Sequence, residues 1–253
     1  MVFEKYAQYY DLLYQDKDYR AETDYISSLI NTHLPETKKI LEFGSGSGIH
    51  GRLLGDLGYH VTGIERSQQM IDLGLSSSYS NDQNSNFSCT QGDCTSTIIG
   101  DDFDAVISLF HVLSYQTSNE EVLAMLKNAH MQLNPRGVFI FDYWYAPAVW
   151  SLVPTLRVKR VQNQQLAITR IAEPECFRDQ NIVKVNYQTF VEVLKSNQIS
   201  EIEETHEMRA FETDEIEEFA NQTGFTPLHS EEWLTSHTPS KETWGVCTVL
   251  EKK

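Results

Sequence analysis

Over the first 150 residues, short apolar runs alternate with stretches in which apolar residues recur at helical spacing. The runs are too continuous for strands buried on one face only, which indicates a parallel sheet covered by helices on both sides. The predicted strands are KKILEF (38–43), YHVTGIE (59–65), FDAVISLF (103–110) and VFIFDYW (138–144). The predicted helices cover residues 20–34, 52–57, 67–75 and 119–133, and Pro35 ends the first of them. Residues 76–86 are predicted to form a polar loop, and NPRG (134–137) is predicted to form a turn.

After Pro154 the pattern changes to alternating apolar and polar residues, which is typical of antiparallel strands with one face in water. Four such segments are predicted: TLRVKRV (155–161), LAITRIA (166–172), NIVKVNYQTFVEVL (181–194) and SEIEETHEMRAFE (200–212). The α/β pattern resumes with a helix in TDEIEEFANQTGF that ends at Gly224, followed by the strands PLHSEEWL (227–234) and TWGVCTVLE (243–251). The expected fold is a doubly wound, mostly parallel α/β sheet with an inserted antiparallel accessory sheet.

Length and charge narrow the range of partners. A chain of 253 residues with 40% hydrophobic content fits one domain with an elaboration. The formal charge of -16 disfavours nucleic acid, because a phosphate backbone would be repelled. The four cysteines lack metal-ligand or disulfide spacing, and no stretch approaches the ~18 apolar residues of a membrane span. We therefore expect a cytoplasmic protein that acts on a small molecule, without a structural metal and away from membranes; a homodimer is left open.

A glycine-rich turn follows the first predicted strand. EFGSGSG (42–48) lies between a strand and a helix, where glycines permit a tight bend and close approach of a ligand to the backbone. Glu42 ends the strand two residues before Gly44; its negative charge can meet the ammonium of a methionine moiety but would be unfavourable beside a pyrophosphate. A second frame, GSGIHG (46–51), fits the GxGxxG pattern of dinucleotide-binding proteins, and Glu65 would serve as the acidic partner of either frame.

Five motifs in order, EFGSGSG, GIERS, QGDC, FDAVISLF and NPRGVFIF, resemble those of class I S-adenosylmethionine-dependent methyltransferases over residues 36–145. The resemblance implies a seven-stranded Rossmann-like fold and S-adenosylmethionine as the cofactor. It implies that Gly44, Gly46 and Gly48 line the methionine portion and that Glu65 binds the ribose hydroxyls. Asp93 would face the adenine amine, with a helix cap before Thr95–Thr97 as the alternative. The implied cofactor set is completed by Ser45, Arg66, Met70, Gly92, Cys94, Leu109 and Phe110, of which Arg66 and Met70 would flank the adenine and Cys94 would offer a backbone donor.

A narrower resemblance covers most of the chain. YYDLLYQDKDYRAE, FHVLSYQ, FDYWYAPAV and the strand-rich insertion are similar to the N-methyltransferases that dimethylate amino groups on nucleotide-linked deoxysugars. In that subfamily an N-terminal aromatic segment covers the cofactor, which implies contacts from Tyr10, Tyr14 and Tyr19; packing of a surface helix is the alternative. Upstream of Tyr10 the chain is shorter than in the antibiotic-sugar enzymes of that subfamily. An acceptor-contacting tyrosine that those enzymes carry there is therefore absent or replaced by Tyr6.

The same resemblance implies the acceptor residues. By register, Tyr115 lies near the acceptor amine, and His111 one turn earlier competes for that place. Asp142 is expected at the carboxyl end of a central strand, where ligands bind in open parallel sheets, with Trp144 and Tyr145 against the acceptor. Any of Tyr115, His111 and Asp142 would orient an amine or take its proton, and for a hydroxyl acceptor His111 is the better base.

A nucleotide diphosphate needs local positive charge despite the overall charge of -16. Arg157, Lys159 and Arg160 on one short strand offer it, with Arg170 and Lys241 as helpers; a solvated strand face is the alternative. The expected function is methyl transfer to an amino or hydroxyl group of a nucleotide-linked sugar.

Three other functions stay open. One is a small-molecule O-methyltransferase of another pathway. Another is an NAD-dependent oxidoreductase, for which the sequence offers no Tyr-x-x-x-Lys pair, and the third is an interaction module without turnover.

The expected regions are a helical lid (1–35), the cofactor-binding core (36–150), a substrate-capping insertion (151–211) and a segment that completes the core sheet (212–253).

Overall fold

The structure, a computed structural model, describes residues 7–76 and 86–253. Eleven strands in this part of the chain join into one sheet. Their bounds are β1 Lys39–Phe43, β2 His60–Glu65, β3 Phe87–Gln91, β4 Phe103–Ser108, β5 Leu133–Tyr145, β6 Arg157–Gln162, β7 Leu166–Phe177, β8 Ile182–Val193, β9 Gln198–Phe211, β10 Phe225–Glu232 and β11 Gly245–Lys252. The α-helices are α1 Ala7–Leu13, α2 Tyr19–His33, α3 Ile49–Asp56, α4 Gln68–Ser76, α5 Asn119–Gln132, α6 Ala146–Leu152 and α7 Thr213–Gln222.

The core sheet has the order β3-β2-β1-β4-β5, with β11 and then β10 added beyond β5. All pairs from β3 to β5 are parallel, and β11 runs antiparallel to both β5 and β10. This arrangement confirms the expected fold class, a Rossmann-like seven-stranded, mostly parallel sheet joined to antiparallel strands. Apolar side chains cover both faces: one cluster includes Leu41 and Phe43, and the other includes Ile40.

Local signals explain where the helices begin and end. Ser118 caps α5, since its Oγ accepts from the Glu121 N–H while the Glu121 carboxylate accepts from Ser118. α7 ends just before Gly224, which has φ +85°, as predicted. β3 and α6 were not predicted from the sequence. The polar loop predicted at 76–86 lies almost wholly outside the described residues.

The turn predicted at NPRG (134–137) lies inside β5, so its prediction as a separate turn was wrong. Leu133 pairs with Phe103 and Val138 pairs with Ala105, which places four residues of β5 opposite one residue of β4. Arg136 adopts φ +64° within this bulge. The turn residues therefore bend the strand locally, and the chain returns to the same edge of the sheet.

Strands β6 to β9 form the antiparallel accessory sheet. Its inner face packs on α1, where Leu13 contacts Ile168, Val191 and Ile202. The last residues of β9 pair in parallel with the end of β5, so the accessory sheet is continuous with the core sheet. The four-region division of the chain stays a prediction. In the described ranges, we find no helix of the length and apolarity that crossing a bilayer requires.

Candidate active site

The glycine turn between β1 and α3 depends on glycine at two positions. Gly44 and Gly48 have φ +69° and +77°, in the left-handed region. A Cβ on Gly44 would lie 2.6 Å from Val112 Cγ2, and one on Gly48 would lie 2.4 Å from the Phe87 ring. The backbone of the turn is therefore exposed to a ligand, with no space for side chains at these two points.

A cleft of about 600 Å³ opens beside this turn. Glu65 lies in it, 7% exposed, and its carboxylate accepts from the backbone N–H groups of Gly46 (2.9 Å) and Ser67 (2.7 Å). Two of its roughly four lone-pair positions remain for further donors. Eight of the predicted cofactor residues line the cleft: Gly44, Gly46, Glu65, Arg66, Met70, Gly92, Asp93 and Cys94.

Asp93 caps a turn and also lines the cleft. Its Oδ1 accepts from the Thr95 backbone N–H (2.8 Å) and hydroxyl (2.6 Å), as the capping alternative expects, although residues 94–96 form a turn and not a helix. Oδ2 lies 3.9 Å from Arg66 Nε at the cleft. Burial raises the pKa of the Cys94 thiol to about 12, so at neutral pH this side chain adds no charge to the cleft.

A smaller cavity of about 60 Å³ lies on the other side of the turn. Lys17 enters it with only 10% of its side chain exposed; its Nζ is 2.5 Å from Glu22 Oε2 and lies over the Phe110 ring at 4.1 Å. Glu22 also contacts His50 Nε2 at 2.7 Å. Burial lowers the pKa of Lys17, an effect that Glu22 opposes. The predicted residues on this cavity are Tyr10, Tyr19, Gly44, Ser45, Gly46, Leu109 and Phe110.

Glu42 lines neither cavity. It is 2% exposed, and its Oε2 has no hydrogen-bond partner among the described residues. Burial, with a smaller contribution from Glu65, raises the pKa of Glu42 to about 8. Glu42 therefore lies beneath the turn as a buried carboxyl group, and the Gly51 backbone N–H and the charges of Arg52 and Lys17 oppose the rise of its pKa only in part.

His111 and Asp142 meet at the carboxyl ends of β4 and β5. The Nδ1 atom of His111 lies 2.7 Å from Asp142 Oδ2, and the His111 backbone N–H donates to both carboxylate oxygens (3.1 and 3.2 Å). Burial alone would raise the pKa of Asp142, but the contacts with His111 hold it below its ordinary value. Nδ1 and Asp142 are thus in ion-pair contact without hydrogen-bond geometry, and the imidazole ring also packs near Phe110 and Trp144.

Tyr115 belongs to a separate group of polar residues. It lines the larger cleft, and its hydroxyl lies 2.8 Å from Nδ1 of His206 on β9. Nε2 of His206 is 3.3 Å from Glu204 Oε2. The structure thus separates the three predicted catalytic residues into a His111–Asp142 pair and a Tyr115–His206–Glu204 group.

The structure brings only some of the predicted tyrosines and acceptor-side aromatic residues close to one another. Tyr14 stacks edge-on to Phe110 with ring centroids 5.3 Å apart, and its hydroxyl accepts from Arg170 at 3.1 Å. Trp144 packs against Trp244, whereas Tyr145 packs against the main core cluster.

The basic residues are spread over different surfaces. Lys159 pairs with Asp16 at 2.7 Å, and Arg157 is exposed on the same strand. Arg160 points to the opposite face from Lys159 because adjacent strand residues alternate. Lys241 is exposed in the connection between β10 and β11. Lys159 and Arg170 are paired across β6 and β7 and so lie on the same face of the accessory sheet, where both lie over the Tyr14 ring. The Arg170 guanidinium is also 5.0 Å from the Tyr187 ring centroid.

Five residues of these groups were missed by sequence reasoning: Lys17, Glu22, His50, Glu204 and His206. Lys17 stood inside a quoted motif, YYDLLYQDKDYRAE, but a single lysine carries no local signal. His206 lies 91 positions from Tyr115, so no spacing rule connects them.

Residues 40–137 match a family model described as a methyltransferase domain. The whole chain superposes on a crystal structure of an S-adenosylmethionine-dependent methyltransferase from Clostridium acetobutylicum ATCC 824, with a TM-score of 0.81 at 18% identity, over 100% of this chain and 99% of that one. Residues 40–137 are therefore similar to a methyltransferase domain, and the chain as a whole has the fold of that enzyme. The match covers the glycine turn, Glu65, Asp93 and the end of β4, so the methyltransferase frame, rather than the dinucleotide frame at 46–51, describes this turn.

Two relatives extend the comparison beyond the methyltransferase domain. The chain is 28% identical over 152 residues to the dTDP-3-amino-3,4,6-trideoxy-alpha-D-glucopyranose N,N-dimethyltransferase of Streptomyces venezuelae, a match that spans 58% of this chain and 60% of that enzyme. It is also 28% identical over 227 residues to the putative methyltransferase YqeM of Bacillus subtilis (strain 168), over 89% of this chain and 87% of that protein.

Proposed function

We propose that this protein transfers a methyl group from S-adenosylmethionine to an amino group of a small sugar linked to a nucleotide. The observation that carries the proposal is the His111–Asp142 pair, which lies beside the glycine turn at the strand edge where ligands bind. The similarity to a dTDP-aminosugar N,N-dimethyltransferase supports the choice of acceptor.

The cofactor fits the residues around the turn. Glu65 would accept from the ribose hydroxyls and Oδ2 of Asp93 from the adenine amine, while the backbone at Gly44 and Gly46 would face the methionine portion. Lys17 is the buried cation of the smaller cavity, and it would pair with the methionine carboxylate. When bound, the sulfonium supplies an electrophilic methyl group, so the residues of this chain contribute mainly alignment.

His111 would handle the proton of the acceptor. An amine attacks only through its free lone pair, and a charged ammonium has none. Because Asp142 holds Nδ1, the other ring nitrogen is left for the acceptor, where it would accept the proton that the nitrogen loses. The dyad has the geometry of a base oriented by a buried carboxylate.

The nucleotide portion would meet the inner face of the accessory sheet. Arg170 is the cation best placed there, because its Nη1 donates to Tyr14 and its guanidinium lies over Tyr187. Lys159 contributes less, since Asp16 already neutralises it. Arg157, Arg160 and Lys241 are assigned no role by their positions.

A hydroxyl acceptor is the second candidate function. The same His111–Asp142 pair favours it, because a hydroxyl is harder to deprotonate and needs a base oriented in this way. The two candidate functions predict opposite methylation results when an aminosugar is compared with its hydroxyl analogue.

The test is an acceptor panel with purified protein and S-adenosylmethionine, read by mass spectrometry of the acceptor. A dTDP-aminosugar, its hydroxyl analogue and the free aminosugar are compared. We expect a mass gain of one or two methyl groups on the dTDP-aminosugar, and an ~10²–10⁴-fold lower kcat in H111N with unchanged cofactor affinity. Methylation of the hydroxyl analogue alone would replace the proposal with the second candidate, and no methylation of any sugar would reject both.

A further inference from the structure

Two amide side chains lie on the buried face of α5, which is otherwise apolar. Asn128 and Gln132 are both fully buried and one helical turn apart, and Gln132 Nε2 donates to Asn128 Oδ1 at 3.1 Å. A buried amide is costly unless its polar atoms are hydrogen-bonded, and asparagine is also a weaker helix former than most apolar residues. The two amides therefore need hydrogen-bonding groups from the element packed against this face.

Those groups come from the connection between β3 and β4, which forms a turn and irregular backbone. Asn128 Nδ2 donates to the carbonyl oxygens of Cys94 (2.8 Å) and Thr97 (3.0 Å). Gln132 Nε2 also donates to the Thr97 carbonyl (3.1 Å), and its Oε1 accepts from the backbone N–H of Ile99 (2.6 Å). Both hydrogens of each amide nitrogen thus have acceptors, and a flip of either amide would set donor against donor.

The same connection carries Asp93 to the larger cleft. Asp93, Cys94 and Thr95 line this cleft together with Glu65. Asn128 binds the carbonyl end of the peptide group between Cys94 and Thr95. The other end of that peptide group, the Thr95 N–H, donates to Asp93 Oδ1 at 2.8 Å. Asn128 therefore reaches the Asp93 carboxylate through one planar unit, in which a hydrogen bond at one end strengthens the bond at the other.

Thr97 provides a second connection from the amide pair to Asp93. The Thr97 carbonyl accepts from both amides, while its hydroxyl accepts from the Asp93 backbone N–H at 2.8 Å. The main chain and Oδ1 of Asp93 are thus both fixed from α5. Oδ2, which lies 3.9 Å from Arg66 Nε, is then the oxygen that the proposed function assigns to the adenine amine.

We propose that Asn128 and Gln132 are positioning residues for adenine recognition, because they hold the connection between β3 and β4 in the shape that presents Asp93 to the cofactor. The inference rests on the proposed function, which places the adenine amine at Asp93, and adds the residues that make this contact selective. Neither amide is among the residues that line the cleft, so both act through the connection. Hypoxanthine carries a carbonyl oxygen in place of the adenine amine, and a carboxylate fixed at this place would repel it. The amide pair should therefore govern the preference for adenine and leave the binding of the rest of the cofactor unchanged.

The first arm of the test needs no ligand. N128L and Q132M fill similar space without an amide group, and amide hydrogen exchange is measured by NMR. We expect faster exchange of the Ile99 N–H in Q132M, which lacks its acceptor, and of the Thr95 N–H in N128L, whose peptide group is no longer held. Wild-type exchange rates at both amides would overturn the proposal.

The second arm compares S-adenosylhomocysteine with S-inosylhomocysteine, which carries hypoxanthine, by titration calorimetry. We expect the wild type to prefer the adenine ligand, and N128L and Q132M each to lose about 10-fold of that preference, a value typical of one hydrogen bond to a charged group, with unchanged affinity for the inosine ligand. Equal weakening of both ligands would reduce the amides to a structural role and reject the inference, as would a full preference for adenine in both variants. A wild type without any preference rejects the adenine contact of the proposed function, and the inference with it.

A matched control is available directly after α5. Asn134 Nδ2 donates to the Asp102 carbonyl (3.2 Å) and to Asp104 Oδ1 (2.9 Å), so N134A removes an amide of the same kind from a different part of the connection. We expect N134A to keep the wild-type preference for adenine; an equal loss there would attribute the effect to general loosening and count against the proposal. If thermal unfolding shows that N128L does not fold, N128S replaces it with the same expectation, since a single hydroxyl donor cannot bind both carbonyls.

Discussion

The proposed cofactor side of the site depends on the backbone of the glycine turn, whereas the proposed acceptor side is built from long side chains. Gly44 lines both cavities, and a side chain there would clash with Val112, so main-chain atoms face the cavities at this point. On the acceptor side, Arg170, Tyr187 and His206 project from strands of the accessory sheet. Main-chain recognition tolerates little change in shape, while projecting side chains can be exchanged without moving the sheet. The first region therefore suits an invariant ligand, and the second suits an acceptor that differs between enzymes.

The largest expected effect tests the backbone character of the cofactor side. Gly44→Ala places a Cβ 2.6 Å from Val112, which lines both cavities, and we expect the affinity for S-adenosylhomocysteine to fall on the order of 100-fold. Gly58→Ala is the matched control, since Gly58 also has positive φ (+98°) but no atom within 4 Å of the new Cβ. It should cost about 1–2 kcal/mol of stability and leave affinity unchanged in calorimetric titration. Equal losses of affinity in both variants would attribute the effect to strain instead of cavity shape.

An intermediate effect is expected from the buried lysine on the proposed cofactor side. Lys17→Met removes a charge-assisted contact of about 1.5–3 kcal/mol, so binding of S-adenosylhomocysteine should weaken about 10–150-fold. 5′-Methylthioadenosine lacks the amino-acid portion and should bind both proteins equally. Equal weakening for both ligands would remove Lys17 from the carboxylate and give it a purely structural role.

The smallest effect concerns Glu42 and pH. With its pKa raised to about 8, Glu42 is mostly protonated in the free protein at pH 7. If the cofactor's ammonium stabilises the carboxylate, binding releases a proton, and affinity rises with pH up to about 8 and levels off above it, by at most about tenfold per pH unit. Titration calorimetry in two buffers of different ionisation enthalpy measures the released proton, which Glu42→Gln should abolish. The same pH profile in wild type and variant would show that Glu42 does not sense the cofactor.

Most of the core fold was predictable because its signals are local. Apolar runs set β1, β2, β4 and β5, and the alternating segments set the accessory strands within a few residues. β3 was missed because FSCTQ is half exposed and follows a polar stretch, so it lacks the continuous apolar pattern of its neighbours. NPRG was wrongly interpreted as a separate turn, because only its pairing with β4 shows that the chain continues in the same strand.

The candidate site also has parts that were predictable from the sequence and parts that were not. Glycine positions and Glu65 follow from a motif, and the structure brings them to one cleft. The sequence could not show whether Tyr115 or His111 contacts Asp142, because a position along a loop does not determine where its side chain points. His111 has φ +64°, and this left-handed backbone turns its N–H and ring toward Asp142 while Tyr115 points to β9. The partner of Tyr115 comes from a distant strand, which only the tertiary fold supplies.

β9 belongs to both sheets, since it pairs with β8 along its length and with β5 at its last two described pairs. β9 runs from one sheet into the other without an intervening loop, so we expect little movement of the accessory sheet relative to the core. We expect the passage of ligands to depend more on α1 and on the five residues between α1 and α2. That connection carries Tyr14, Asp16 and Lys17, so the traffic of ligands through the enzyme would be coupled to the same side chains that hold them.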